Sequence, residues 1–441
     1  MSFPRYPNYK DSGVEWLGEV PEHWEVMSLR RCSSSVQTGG TPTSESPSTD
    51  FEQGLVWFTP GDFGYTLLLT TSTRKISSKV VTSGEAKVFP PRSVLIVSIG
   101  ATLGKVGFAQ EASSANQQIN AVIPNERIDG YFLAYSLLVK TEVMRFLSNA
   151  STIGIMNQEK TKDILVAVPS PEEQTQITDF LDRETAKIDE LVAEQRRLMK
   201  LLKEKRSAVI SHAVTKGLNP HAPMKPSGIE WLGDVPGHWT FPKIGYHAEV
   251  TKLTGFEYTN HWKTESEGGI VALRGFNIGV RELNLEKTER ISWELSGFLA
   301  RSKLHKGDIV LPCTGTLGAA VVIEENDKYH INQNIAKVSL NGNINPKFAV
   351  YWFTSGLFKS VVEHNNMSGM QPVLLIGDIR RIVIPAPPIE EQRAVVEFLD
   401  CITARFNELI TETQRAITLL QERRTALISA TVTGQIDVRQ Q

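Results

Sequence analysis

Gly100–Lys105 (GATLGK) is the segment that most invites a chemical reading, because glycines followed by a lysine can cradle a phosphate. A phosphate loop needs four residues between its glycines and Ser or Thr after the Lys. Here three residues intervene and Val106 follows. The later segment Thr314–Gly318 (TGTLG) repeats the pattern with Ala319 in place of the lysine, so both read as tight turns between strands. His23, His238 and His330 lack metal-ligand spacing, and the first two stand beside Trp24 and Trp239, where packing is the simpler role. Cys32, Cys313 and Cys401 are scattered and odd in number. They give neither a disulfide framework nor a metal cluster, which suits a reducing cytoplasm.

Size and charge narrow the classes further. At 441 residues the chain is too long for one ordinary core and suits two or more domains. Hydrophobic residues make up 41% and charged residues 22%, as in a globular protein. No apolar run reaches 18 residues and Met1–Lys10 has no signal-peptide pattern, so a cytoplasmic location without a membrane is expected. The formal net charge is −2, whereas a nucleic-acid binder is usually basic. A nucleic-acid role would therefore need local basic groups or help from partner chains.

The chain is written twice. Ser12–Val26 (SGVEWLGEVPEHWEV) returns as Ser227–Phe241 (SGIEWLGDVPGHWTF), a shift of 215 residues. Asn116-Gln117-Gln118-Ile119 returns as Asn332-Gln333-Asn334-Ile335, Asp163–Gln174 as Asp378–Gln392, and Ser211–Thr215 as Ser429–Thr433. Matches in this order imply an ancestral duplication of a domain-sized unit.

Each repeat has a globular part and a long helix. Short apolar runs (Val94–Ile99, Ile309–Pro312, Ala320–Ile323) between Gly, Pro and Ser/Thr turns read as strands, and Tyr131–Leu147 and Lys347–Val362 read as helices. Then Ser170-Pro171-Glu172-Glu173 supplies a cap, a first-turn proline and a glutamate three residues after the cap. No Pro or Gly follows until after Lys216. A 4/3 spacing predicts a seam through Ile177, Leu181, Ile188, Leu191, Leu198 and Leu202, with polar Gln195 inside it. The second copy gives Val395, Leu399, Phe406, Leu409, Leu420 and Leu427, with Thr413. Each helix, a rod of roughly 60 Å at 1.5 Å per residue, is expected to be the other's antiparallel partner. The predicted fold class is α+β: two globular mixed α/β heads joined by an antiparallel coiled coil in a circular, pseudo-two-fold repeat.

Two differing heads, two near-identical helical spacers, the EWLG-x-[VI]-P-x-HW segments, the P-x-P-x-x-EQ-like helix starts and the SHAVTKG and SATVTGQIDVR exits resemble the specificity subunit of type I restriction-modification systems. The resemblance covers almost the whole chain. It implies target recognition domains at 1–168 and 227–386, conserved spacer helices at 169–216 and 387–435, a linker at 217–226 and a tail at 436–441. It also implies sequence-specific recognition of a bipartite, asymmetric duplex, each head reading one half. Two modification subunits would dock on the spacers and methylate adenine N6 with S-adenosylmethionine. Restriction subunits would supply translocation and cleavage with ATP and Mg. This chain would hold no cofactor, metal or catalytic residue, and it has neither an Asn/Asp-Pro-Pro-aromatic motif nor a Rossmann glycine run. A coiled-coil adaptor that never reads DNA, and a single-chain DNA-modifying enzyme with degenerate motifs, are the alternatives.

Reading DNA requires polar side chains on exposed loops. Gly54–Phe63 (GLVWFTPGDF) and Gly269–Ile278 (GIVALRGFNI) run from a buried strand into a polar loop, which makes Thr59, Asp62, Arg274 and Asn277 the first candidates. Thr41, Lys105, Thr314, Thr316 and the pairs Asn116-Gln117 and Asn332-Gln333 come second. The Asn-Gln pairs recur in both heads, so capping a turn is as good an account of them. Arg74, Lys75, Arg281, Arg301 and Lys303 are candidate phosphate contacts. Arg196–Arg206 carries six basic residues against one Glu and could meet partner surfaces or the DNA backbone.

Overall fold

Ser170 opens the first long helix as the sequence requires, its hydroxyl accepting from Glu173 N at 3.4 Å while its carbonyl accepts from Gln174 N. In the computed structural model this helix is Pro171–Lys216, and a second spans Ile389–Val432. The structure describes residues 3–49, 54–64, 66–148, 154–265, 267–315, 318–365 and 373–439. The chain divides into two compact units. One is Met1–Gln195 with Arg415–Gln441, and the other is Arg196–Gln414. Each long helix thus gives one half to each unit.

Within the first unit, a four-stranded antiparallel sheet and a three-stranded sheet share one core. The strands are β1 (Ser33–Thr38), β2 (Leu55–Phe58), β3 (Lys75–Ile76), β4 (Ser93–Val97), β5 (Val106–Ala109), β6 (Ser114–Ala115) and β7 (Ile119–Pro124). Their orders are β1-β7-β4-β5 and β3-β2-β6, with β2 and β6 parallel. Phe58, Phe63, Phe89, Leu95, Val97 and Ile119 fill the space between them. The second unit repeats this with β8 (Ala248–Thr251), β9 (Ile270–Leu273), β10 (Glu289–Ile291), β11 (Ile309–Pro312), β12 (Val321–Val322), β13 (Tyr329–Ile331) and β14 (Ile335–Leu340). The orders β8-β14-β11-β12 and β10-β9-β13 match strand for strand, including the parallel β9–β13 pair.

The two helices expected at Tyr131–Leu147 and Lys347–Val362 are each broken. Gly130–Leu138 is followed by Thr141–Ser148, and Pro346–Phe353 by Gly356–Asn365. In the second case Ser355 starts a new helix by accepting from Phe358 N at 3.2 Å.

A repeated glutamine ties each head to its long helix. Gln174 accepts from Asp129 N at 2.6 Å and donates to the carbonyls of Arg127 and Pro169. Gln392 accepts from Asn345 N at 2.7 Å and donates to Asn343 and Pro387. Both are buried and satisfy backbone groups at the N-cap of a head helix, where orphan donors and acceptors are costly. The preceding glutamates hold the histidines, Glu173 with His23 at 2.9 Å and Glu391 with His238 at 2.7 Å.

Inside each unit the two long-helix segments run antiparallel. In the first unit Asp189 pairs with Arg424, and in the second Arg206 bonds to Asn407. The helix exits confirm the direction. Gly217 ends the first helix at φ +74° and lies against Trp239 and Glu391, at the start of the second. Gly434 plays the same part at φ +76° against Pro21 and Trp24, where a Cβ would collide with the Pro21 ring. Asp437 N then donates to Pro4 O, and Ile436 and Val438 are buried, so the segment expected to be a tail packs into the first unit.

The seam departs from the expected frame. Ile177, Leu181, Ile188, Val395, Leu399, Phe406 and Leu427 are buried, and Leu202 and Leu420 half-buried. Leu191, Leu198 and Leu409 are exposed at 45%, 43% and 45%, while Val192 and Ile417 are buried. The inward positions run 177, 181, 185, 188, 192, 195, 199, 202, 206, 210 and then 213. That is a mean period of 3.6, the natural repeat of a straight helix. A strict heptad frame drifts off it by about 20° per repeat. Nor is the seam purely helix on helix: Ile210, Val214, Val395 and Leu399 belong to one core with Phe348 and Trp352 of the head.

Candidate nucleic-acid interface

Four segments of the first unit converge on an open cleft of about 580 Å³. They are the one-turn helix Pro60–Asp62 after β2, the approach to β3 at Thr73 and Arg74, the β4–β5 turn at Gly100–Thr102, and the β6–β7 turn at Asn116 and Gln118. The GATLG segment is the tight turn its glycines predict, with Gly100 at φ +98° and Gly104 at φ +89°. The fold therefore gathers Thr59, Asp62, Arg74 and Asn116, candidates 57 residues apart in sequence, into one wall.

Not all of them face outward with free groups. The Asp62 carboxylate accepts from Thr59 N at 2.7 Å and Thr59 Oγ1 at 2.9 Å, so both side chains are engaged in closing the loop. Asn116 is buried; it accepts from Gln118 N at 3.0 Å and donates to Gln118 Oε1 at 3.1 Å. Lys105 is exposed, but its Nζ donates to Phe63 O at 2.9 Å. Thr41 donates to Gln117 Oε1 at 2.7 Å, and both are exposed. Arg74 is exposed on the cleft wall and Lys75 is half-buried in β3. Thr73, Thr102 and Gln118 also line the cleft. Sequence reasoning passed over them because only the convergence of three turns distinguishes them from other surface polar residues.

The second unit builds the same loop with other chemistry. Arg274 N donates to Asn277 Oδ1 at 2.8 Å, matching Thr59 and Asp62. Asn277 has no exposure at all, and its amide nitrogen donates to Asn284 O and Lys287 O, each at 2.7 Å. Asn277 is therefore a loop anchor and not a base contact, because every polar atom of its side chain is engaged with backbone. Asn332 also anchors a turn. It is buried and accepts from Asn334 N at 2.8 Å, the turn that Asn116 makes in the first unit. Gln333 beside it is half-buried.

The expected phosphate contacts of the second unit are largely occupied. Arg274 reaches Glu289 at 2.5 Å, Arg301 meets Glu257 at 3.0 Å, and Lys303 meets Asp327 at 3.0 Å. Hydrogen bonds from Thr254, chiefly its backbone N–H, hold the Glu257 carboxyl below its ordinary range. Arg281 is half-buried over the Tyr351 ring, 4.8 Å from its centroid, and burial pulls its pKa down. It lines a cavity of about 200 Å³ with Lys347 and Asp400, against the head helix and not on the reading loop. Thr314 is half-buried in a bridge to Val373, and Thr316 lies outside the described residues.

The profile of the type I restriction modification DNA specificity domain matches residues 21–198 and 281–419. The chain belongs to that family. Its function is DNA target recognition, and as a specificity subunit it is not the catalytic component. Among its relatives, the MjaVIII specificity subunit of Methanocaldococcus jannaschii is 22% identical, with 100% of this chain and 98% of that protein covered. The MjaIX specificity subunit of the same organism is 22% identical over 96% of each. A chain solved in work on complex assembly and conformational transition of the type I R-M system superposes with a TM-score of 0.71 at 14% identity. That match covers 94% of this chain and 98% of the other. The HsdS subunit of Thermoanaerobacter tengcongensis superposes at 0.53 and 15% identity, covering 95% and 98%. The family assignment sets aside the adaptor and single-chain-enzyme readings. Among the described residues, no helix is long and apolar enough to cross a membrane.

Proposed function

We propose that this chain reads a bipartite, asymmetric duplex, one half with each head, and brings modification and restriction subunits to it. The observation that carries this reading is a shared scaffold with unshared tips. Loops 59–62 and 274–277 are closed by the same backbone-to-side-chain bond at position four, yet the residues around them differ. Identical positioning with different surface chemistry is what two half-sites require. In the first head Arg74, Gln117, Thr73 and Thr102 are the residues we assign to DNA, Arg74 to a phosphate. In the second head the assigned residues are Gln333 and Arg274, the latter exchanging its Glu289 partner for DNA. Adenine leaves the stack for methylation, so its pocket would belong to the two modification subunits, which would carry S-adenosylmethionine. Restriction subunits would carry ATP and Mg, and the complex would work in the cytoplasm.

The test is a methylome of cells expressing the complex, before and after exchange of residues 29–163 for the matching head of a relative. One half-site should change and the other should stay. If both changed together, the division of labour between heads would be wrong.

A further inference from the structure

Residues 61 and 276 occupy the same place on the two reading loops and could hardly differ more. Gly61 is exposed, and a Cβ built on it would meet only Thr59 Oγ1, at 3.7 Å. Phe276 is 59% exposed and lies outside the apolar core clusters of its unit. Its described ring neighbour is the Arg274 guanidinium, 5.8 Å from the ring centroid. The loop beneath it is fixed. Asn277 binds three backbone groups, and Arg274 is held by Glu289. At 59% exposure most of this ring stands in water at the tip of the reading loop, so its apolar face is available to a ligand there.

We propose that Phe276 reads a thymine 5-methyl group in the half-site of the second head. This rests on the DNA-reading function and names one specificity residue within it. The thymine methyl is the one apolar feature that a base pair shows in the major groove, and phenylalanine is among the side chains that contact it. Losing a one-carbon apolar contact of this kind should weaken binding roughly four- to tenfold across the usual range for buried apolar area. Gly61, with no side chain, leaves the first head without an equivalent contact.

The experiment uses the full chain with its modification subunits and duplexes bearing the target mapped by methylome. Each thymine of the second head's half-site is replaced in turn by deoxyuridine, which differs only by the methyl group. The wild-type complex should lose roughly four- to tenfold in affinity at one position. Phe276→Ala should lose affinity for the thymine duplex and become indifferent to deoxyuridine there. Phe276→Leu, which keeps apolar surface, should retain part of the discrimination. Gly61→Phe, where an added Cβ meets no clash, should create a thymine preference in the other half-site. A mapped half-site without thymine in either strand overturns the proposal. So does a Phe276→Ala complex that keeps every deoxyuridine penalty, or one that weakens both half-sites equally. A complex with no preference for any duplex would instead remove the DNA-reading function itself.

Discussion

Asp189 and Arg424 form a two-point ion pair between the long-helix segments of the first unit, Nε to Oδ1 at 2.9 Å and Nη2 to Oδ2 at 3.2 Å. The arginine side chain is 11% exposed and the aspartate 31%. A planar, two-point fork fixes register in a way that apolar contacts cannot, since those survive a slip of one turn.

Asp189→Ala should therefore destabilise the first unit by about 2–3 kcal/mol, because it leaves Arg424 without its bidentate carboxylate. Hydrogen exchange should quicken across 171–195 and 415–432 while the sheet at 248–340 keeps its protection. Equal exchange in both units would show that the pair does not anchor this one.

Lys140 offers a pH test. It is 4% exposed, with Nζ 4.1 Å from the centroid of the Trp16 ring, and burial pushes its pKa down to about 7. The unfolded chain binds this proton up to about pH 10.4, so between pH 7 and 10.4 it holds more protons than the folded chain. Stability should rise with pH across that window, and the penalty should be fully present below it. Lys140→Met should raise the melting temperature most at pH 6–7 and lose its advantage towards pH 10. A constant gain at all pH values would mean that packing, not charge, is being relieved. At the matching place in the second repeat stands Gly356.

Gln174→Ala would strand the N–H of Asp129 and the carbonyls of Arg127 and Pro169, at a cost of roughly 2–3 kcal/mol. Gln392→Ala should cost about the same, as its three bonds correspond one for one. Gln174→Glu should fare no better, since a carboxylate cannot donate. Denaturant melts of the single variants would report all three, and a neutral Gln174→Glu would contradict the donor roles.

Arg74→Ala should weaken binding by the assembled complex about equally for target and unrelated duplex, and lower the slope of log affinity against log salt by about one. A loss confined to the target would make Arg74 a base reader instead.

The duplication and the helix starts were legible in the sequence because they depend on local chemistry: a capping Ser170, the following Pro171, and segments repeated in order. The family followed from those same segments. What stayed hidden depends on contacts across the chain. Leu191 and Val192 are neighbours of similar character, and only the 3.6 repeat of the folded helix decides which one turns inward. Asn277 looked like a base reader because Asn on a polar loop has that chemistry. Its real partners, Asn284 O and Lys287 O, come from a later loop. Thr73, Thr102 and Gln118 became candidates only when three separate turns met around one cleft.

The first unit draws its residues from 3–195 and from 415 onward, and Tyr9 Oη closes on Gly434 O while Asp437 N closes on Pro4 O. The second is one continuous stretch, 196–414. As the polypeptide leaves the ribosome, the first head emerges early but must wait, with the pocket around Pro21 and Trp24 uncovered, until residues 432–438 arrive to close it. The second unit has all of its residues before then. The head made first is thus finished last, and until then the apolar surface around Pro21 and Trp24 stays open to other contacts.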